Sequence, residues 1–397
     1  MQACFEAAVQ TPDELYYEIS AKSMGKRELL LIVGFVVVGA AIYQLTAPAR
    51  PASESGFSVG RIVDEIKREM RGRPASAELT VNATHLLPSD VSELRVTLRN
   101  SPVTITGEDR ADIATELWVT SNGVDEEEAR ALAGKAHLTV EPAGPTVTVS
   151  VSLPPEGTQR VRLGLRVPHG MMVSFGPTNA RIEVTGVHGV ELESARGETL
   201  IRHIKGRVGV THRGGDFTVE DAGAIRLDTR GSDVRLARID GESILQMEGG
   251  DLRAADLRGP VEVDSSSADI TIEDLQKARG PLRITAVGGS VSLRGLAAEA
   301  RVDGRDADID VMFDRAAPVA IFNTGDRIQI TPPRDGFTLD AVANDGRITI
   351  PDVLAPQISS SGTADDKEHR ASGSVNGGGP SITLRATGGD IRVNARE

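Results

Sequence analysis

Residues 214–252 read GGDFTVEDAGAIRLDTRGSDVRLARIDGESILQMEGGDL. One unit recurs in this stretch: apolar, polar, apolar, a Gly/Ser/Asp corner, apolar, polar, apolar, then a second glycine. Gly214-Gly215-Asp216, Gly231-Ser232-Asp233, Gly249-Gly250-Asp251, Ser267-Ala268-Asp269 and Gly288-Gly289-Ser290 are successive copies of the corner. The residues after each corner, Phe217, Val234, Leu252, Ile270 and Val291, belong to a series that runs back to Ile182 and Leu200 and on to Ile309, Ile328 and Ile348. Its steps are 18, 17, 17, 18, 18, 21, 18, 19 and 20 residues.

A near-constant step is what a coil of fixed circumference requires, and an antiparallel meander has no such constraint. Two strands of four or five residues bury too little apolar surface to fold alone, so the copies must stack and share a core. The expected fold class is therefore all-β: a parallel β-solenoid (β-helix) with coils of about 18 residues. Glycine supplies positive φ at the corners and aspartate accepts backbone hydrogen bonds there.

Upstream, Leu29–Leu45 (LLLIVGFVVVGAAIYQL) carries no charge and follows Lys26 and Arg27. The run is just long enough to cross a bilayer, which takes roughly 17 to 25 residues. Leu29, Leu31, Val33, Phe35, Val37, Ile42 and Tyr43 are its anchor residues, with Lys26 and Arg27 on the cytoplasmic side. Cleavage after Ala47-Pro48-Ala49, as from a signal peptide, and a buried helix of a soluble protein are the rival readings. The expected division is a tail over 1–27, a transmembrane helix over 28–46, and a linker with an amphipathic helix over 47–76. In that helix Val59, Ile62, Val63, Ile66 and Met70 fall at helical spacing. A β-rich cap over 77–175 and the solenoid over 176–397 complete the chain.

Within the cap, Leu94 to Leu98 and Val103 to Ile105 read as strands around Asn100-Ser101-Pro102, and 112–120 as an extended segment carrying Trp118. Residues 125–133 (DEEEARALA) read as a short helix with acids in its first turn. Val147 to Leu153 and Val161 to Val167 alternate with polar residues as strands do. Residues 355–380 read as a Gly/Ser-rich loop inserted in the last coil, because Ser381–Val393 (SITLRATGGDIRV) returns to register.

The chain resembles bacterial envelope proteins of the putative-adhesin family, domains of unknown function with a parallel β-solenoid. Leu165-Arg166-Val167-Pro168-His169-Gly170, the repeated corners, and the Gly-rich loop before ITLRATGGDIRV carry the resemblance. It implies a membrane-attached, non-enzymatic envelope protein, some relatives being linked to envelope stress signalling, and it transfers no catalytic residues.

Composition narrows the partners. A net charge of −13 disfavours nucleic acid. The single cysteine, Cys4, precedes the apolar run, so Cys-based metal sites and disulfides are absent from everything after it. The corner column Asp216, Asp233, Asp251, Asp269, Asp308 and Asp390 is read as structural. Stacked carboxylates repel and calcium would relieve them, but the nonapeptide calcium repeat is not present. His188, His203 and His212 read as surface residues and Ser265-Ser266-Ser267 as a turn. No catalytic residue, metal or cofactor is assigned. The expected function is a single-pass scaffold or adhesin-like binding module of the bacterial plasma membrane, its C-terminal domain periplasmic or extracellular. Its partner is an unknown envelope protein or surface ligand. A polysaccharide-acting enzyme and self-assembly into a homo-oligomer through the edge of the last coil are the alternatives.

Overall fold

Alternation of apolar and polar residues places every second side chain inside, and the computed structural model shows what those side chains share. It describes residues 75–396 apart from 99, 156–157, 195 and 363–365. The apolar run Leu29–Leu45, its anchor residues, the linker and the helix ending near Met70 lie outside the described residues. Among the described residues no helix is long and apolar enough to cross a membrane.

The strands of the first half are β1 (Ala75–Leu86), β2 (Glu93–Thr97), β3 (Val103–Glu108), β4 (Asp112–Gly123), β5 (His137–Ala143), β6 (Thr146–Ser152), β7 (Thr158–Pro168), β8 (Met172–Thr178), β9 (Ile182–Thr185), β10 (Gly189–Ser194) and β11 (Thr199–Ile239). Helix α1 (Glu126–Ala133) separates β4 from β5. Its start is capped by side chains: the Asp125 carboxylate accepts the Glu128 N–H at 2.9 Å and the Glu128 carboxylate accepts the Val124 N–H at 2.6 Å.

The repeats continue with β12 (Ser243–Glu248), β13 (Asp251–Leu257), β14 (Val261–Ser266), β15 (Asp269–Glu273), β16 (Leu282–Val287), β17 (Ser290–Leu296), β18 (Ala300–Arg305) and β19 (Asp308–Phe313). Even-numbered strands pair in parallel with even-numbered ones, and odd with odd, so each coil contributes one strand to each of two facing sheets. The columns are in register. Leu252, Ile270, Val291 and Ile309 stack in one sheet, and Leu245, Val263, Ile284 and Val302 in the other, all buried. Each such side chain contributes roughly 1.5–3 kcal/mol of hydrophobic stabilisation.

The closing strands are β20 (Val319–Thr324), β21 (Ile328–Thr331), β22 (Phe337–Asn344), β23 (Ile348–Thr349), β24 (Ile358–Ser361), β25 (Glu368–Val375), β26 (Ser381–Thr387) and β27 (Ile391–Val393). Here stacking order departs from chain order. β26 pairs with both β20 and β22, and β27 with both β21 and β23. The coil of residues 382–393 thus slots between those of 319–331 and 337–349. Ile328 and Ile348, expected as neighbours in the apolar column, are separated by Ile391. The first coils do the same: β2 pairs with both β6 and β8, and β3 with both β7 and β9.

Both ends are then closed by antiparallel strands. β5 lies on β6 and β4 on β7, with β1 outside β4; at the other end β25 lies on β22 and β24 on β25. Segment 77–175, expected only as a cap, therefore supplies two coils as well. Segment 355–380, expected as a loop, carries the β24 and β25 cap strands, and cap strands rich in small polar residues read as loop because half of each faces water.

Expectation also failed by one residue at Leu200. Ile182 pairs with Thr199 and Val184 with Ile201, which point inward, while Leu200 faces out half-buried. A one-residue slip moves a side chain to the opposite face.

A second glycine column closes the coils. Cβ atoms at Gly206, Gly223, Gly241 and Gly259 would lie 2.7, 2.4, 2.4 and 2.3 Å from carbonyl oxygens of the preceding coil. Only glycine permits so close an approach of backbones.

Candidate functional site

Strand register stacks part of the corner column, and most of its carboxylates are held from within the protein. Asp251, Asp269, Ser290 and Asp308 stack in register, Ser290 interrupting the row of charges. Arg253 holds Asp251 at 3.2 Å, Ser290 Oγ donates to Asp269 at 2.7 Å, and Arg327 grips Asp308 with two bonds of 2.7 Å. Arg235 stands 4.0 Å from Asp216, and Asp390 accepts the Arg347 N–H at 2.8 Å. Asp233 is exposed at its corner. Left-handed backbone, as at Gly249 (φ 71°) and Gly288 (φ 70°), turns the chain there. Among the described residues no three His, Cys, Asp or Glu side chains converge as a metal site would need.

The opposite corner, unremarked in the sequence, carries more charge. His203, Asp221, Arg238, Asp256 and Asp274 all adopt left-handed backbone, with φ of 54–57°. Asp and Asn tolerate this conformation better than most residues, and three Asp in a series whose steps are 17 to 18 residues are the one signal the sequence offered. Arg238 bonds Asp221 and lies 3.7 Å from Glu220, His203 Nδ1 is 3.1 Å from Asp221, and Arg202 is 3.4 Å from Glu220. Arg258 donates to Asp256 at 3.0 and 2.8 Å and to Asp240 at 2.6 Å, and Lys277 reaches Asp256 at 3.3 Å.

This is a shallow groove with clustered Arg, Lys and Asp, the arrangement that a polysaccharide-cleaving reading asks for. Two of its acids, Asp221 and Asp256, are poised the wrong way. The Arg238 guanidinium holds Asp221 below the usual carboxylate range, and Arg258 with Lys277 does the same for Asp256 against the opposing effect of burial. Glycoside hydrolysis needs one carboxyl raised so that it keeps a proton to donate. Neither of these two does so.

His203 and His188 are exposed as expected, but His212 is wholly buried, a correction to the surface reading. It faces Ser232 Oγ at 2.9 Å and the Gly197 carbonyl at 3.1 Å, with the Phe217 ring 5.5 Å away. Burial pushes the imidazole below its ordinary value, partly offset by the Gly197 carbonyl. Donating from Nε2 to that carbonyl and accepting the Ser232 hydroxyl on Nδ1 satisfies the neutral ring. Gly214 N–H donates to Ser232 Oγ at 3.0 Å, so the pair closes a corner. Of the serine run, Ser265 points inward, Ser266 is exposed, and Ser267 takes the left-handed corner position.

Parallel two-strand coils closed by antiparallel caps define a β-solenoid class, and the sequence names the family. The profile of the Toastrack DUF4097 family matches residues 91–394, and the chain belongs to that family. No protein of curated function matches it. Among solved structures it is similar to a putative cell adhesion protein from Clostridium sporogenes, at 8% identity over 82% of this chain and 100% of that one, with a TM-score of 0.17. A putative adhesin from Parabacteroides merdae shares 9% identity over 81% and 97%, with a TM-score of 0.26. A putative lipid binding protein from Parabacteroides distasonis shares 10% over 81% and 97%, with a TM-score of 0.24. At such scores the superpositions carry no argument, and the family assignment rests on the profile match.

Proposed function

We propose that the chain is a non-enzymatic, adhesin-like binding module of the bacterial envelope, anchored by the apolar helix Leu29–Leu45 and displaying its solenoid outside the cytoplasm. One observation supports it above others: most of the charged groups of the two corner columns pair with one another. The result is a rigid frame whose two sheets present outward side chains at fixed spacing. Its place beyond the membrane also suits a part in envelope stress sensing.

Protease protection in intact cells and spheroplasts, with the mass of the mature chain, tests the reading. An accessible domain on a full-length chain is the expected result. A domain protected in spheroplasts would place it in the cytoplasm, and a mature chain beginning near Arg50 would remove the anchor.

A further inference from the structure

The outer face of the sheet formed by β1, β4 and β7 carries the chain's one tryptophan. Register sets its neighbours. Thr80, Trp118 and Arg162 lie side by side across the three strands, and Glu78, Thr120 and Arg160 form the next row. The corner Asn100-Ser101-Pro102 walls the far side, which makes the face a groove.

Trp118 is half-buried, and its six-membered ring lies over the bare Cα of Gly164, where a Cβ would come within 3.1 and 3.2 Å of two ring carbons. The indole packs against the sheet at that glycine and keeps part of its surface accessible. The Arg162 guanidinium stands 6.0 Å from the ring centroid, at the outer limit of a cation–π contact. Arg160 and Arg162 are both exposed, and among the described residues neither pairs with a carboxylate. Arg253, Arg301, Arg327 and Arg385, by contrast, each hold an Asp. In a chain of net charge −13, two guanidinium groups free of carboxylates thus stand beside a part-exposed aromatic ring.

We propose that this groove binds an acidic saccharide, a pyranose bearing a carboxylate. The C–H face of a pyranose packs on an aromatic ring as apolar surface does, while its carboxylate takes a charge-assisted, two-point hydrogen bond from a guanidinium. Glu78, Thr80 and Thr120 line the same rows and supply acceptors and donors for hydroxyl groups. Phosphate alone would use the arginines and leave the ring idle. A lipid acyl chain would find one indole between polar walls.

The proposal rests on the reading of the chain as a binding module and names a ligand class for it. Because the chain has a single tryptophan, emission of the full-length protein reports on this groove alone. Titration with trigalacturonate should give a saturable change, whereas maltotriose, inorganic phosphate and phosphatidylglycerol vesicles should give none. Arg160→Ala and Arg162→Ala, both on exposed side chains, should keep the parent melting temperature and each weaken the acidic sugar about tenfold. Trp118→Phe, followed by calorimetry, should bind more weakly without losing charge selectivity.

An equal response to maltotriose would overturn the acidic specificity, and a response to phosphate or vesicles in place of the sugar would overturn the saccharide. Unchanged affinity in both arginine variants, or no response to any probe, would remove the site. A silent groove on an exposed, anchored domain leaves the module standing, while a cytoplasmic domain that still binds trigalacturonate leaves the groove standing.

Discussion

Gly259→Ala adds one methyl group at a place where the neighbouring coil leaves no room. An ideal Cβ there would sit 2.3 Å from the Gly241 carbonyl oxygen and 2.4 Å from its carbon. Ordinary contact begins at 3.4 Å, so the coils must part locally by about 1 Å. Overfilling a packed site costs roughly 1–3 kcal/mol, and a backbone obstacle has no alternative rotamer, which puts the expected loss near about 3 kcal/mol. Gly249 is the control: its φ is 71° and nothing lies within 4 Å of an added Cβ. Gly249→Ala therefore meets only left-handed strain, about 1–2 kcal/mol, and Gly249→Asn recovers part of it. At position 259 asparagine should be no better than alanine. Urea titration of the full-length protein gives the ranking, and amide exchange by mass spectrometry locates the damage. Protection should fall in β12 to β15 and stay unchanged in the distant β3, because repeats couple to their neighbours. A Gly259→Ala protein as stable as the parent, or a Gly259→Asn rescue, would show that stacking distance is not what selects glycine here.

Three further outcomes are expected. Ile270→Asp places a charge in a fully buried column and should cost more than about 4 kcal/mol, abolishing the cooperative melt followed by circular dichroism; a near-parental melt would mean the faces are assigned wrongly. Because the folded His212 pKa is depressed, the unfolded chain binds the extra proton first. Its contribution to stability is complete above about pH 6.5 and is lost as pH falls from there through the folded value. The urea midpoint should drop across that window, and His212→Gln should flatten the slope. With Asp251, Asp269 and Asp308 held by Arg253, Ser290 and Arg327, excess chelator should leave the melting temperature unchanged, whereas a fall would reveal a cation bound at the corner column.

Much of the fold was legible because the corner motif repeats at a step that only a coil explains. What the motif could not convey is stacking order. Ile328 to Ile348 is a step of 20 residues, indistinguishable from its neighbours, yet Ile391 lies between them. Periodicity says that a segment belongs to a coil and is silent on which coil it touches. The left-handed corner at His203, Asp221, Arg238, Asp256 and Asp274 escaped notice because its residue types differ, although the backbone conformation is the same. The groove was hidden for another reason. Trp118 and Arg162 are 44 positions apart, and only the antiparallel register of β4 on β7 sets them together.

The displaced coil at the carboxyl end carries a consequence for biosynthesis. Chain leaves the ribosome from the amino end, so 319–331 and 337–349 emerge before the segment that separates them. Until 382–393 arrives, each of those coils has a sheet edge with no permanent neighbour. The frame is thus locked by strands made after both of the coils they join, and a chain cut short near residue 380 would keep two facing edges open to whatever strand came next.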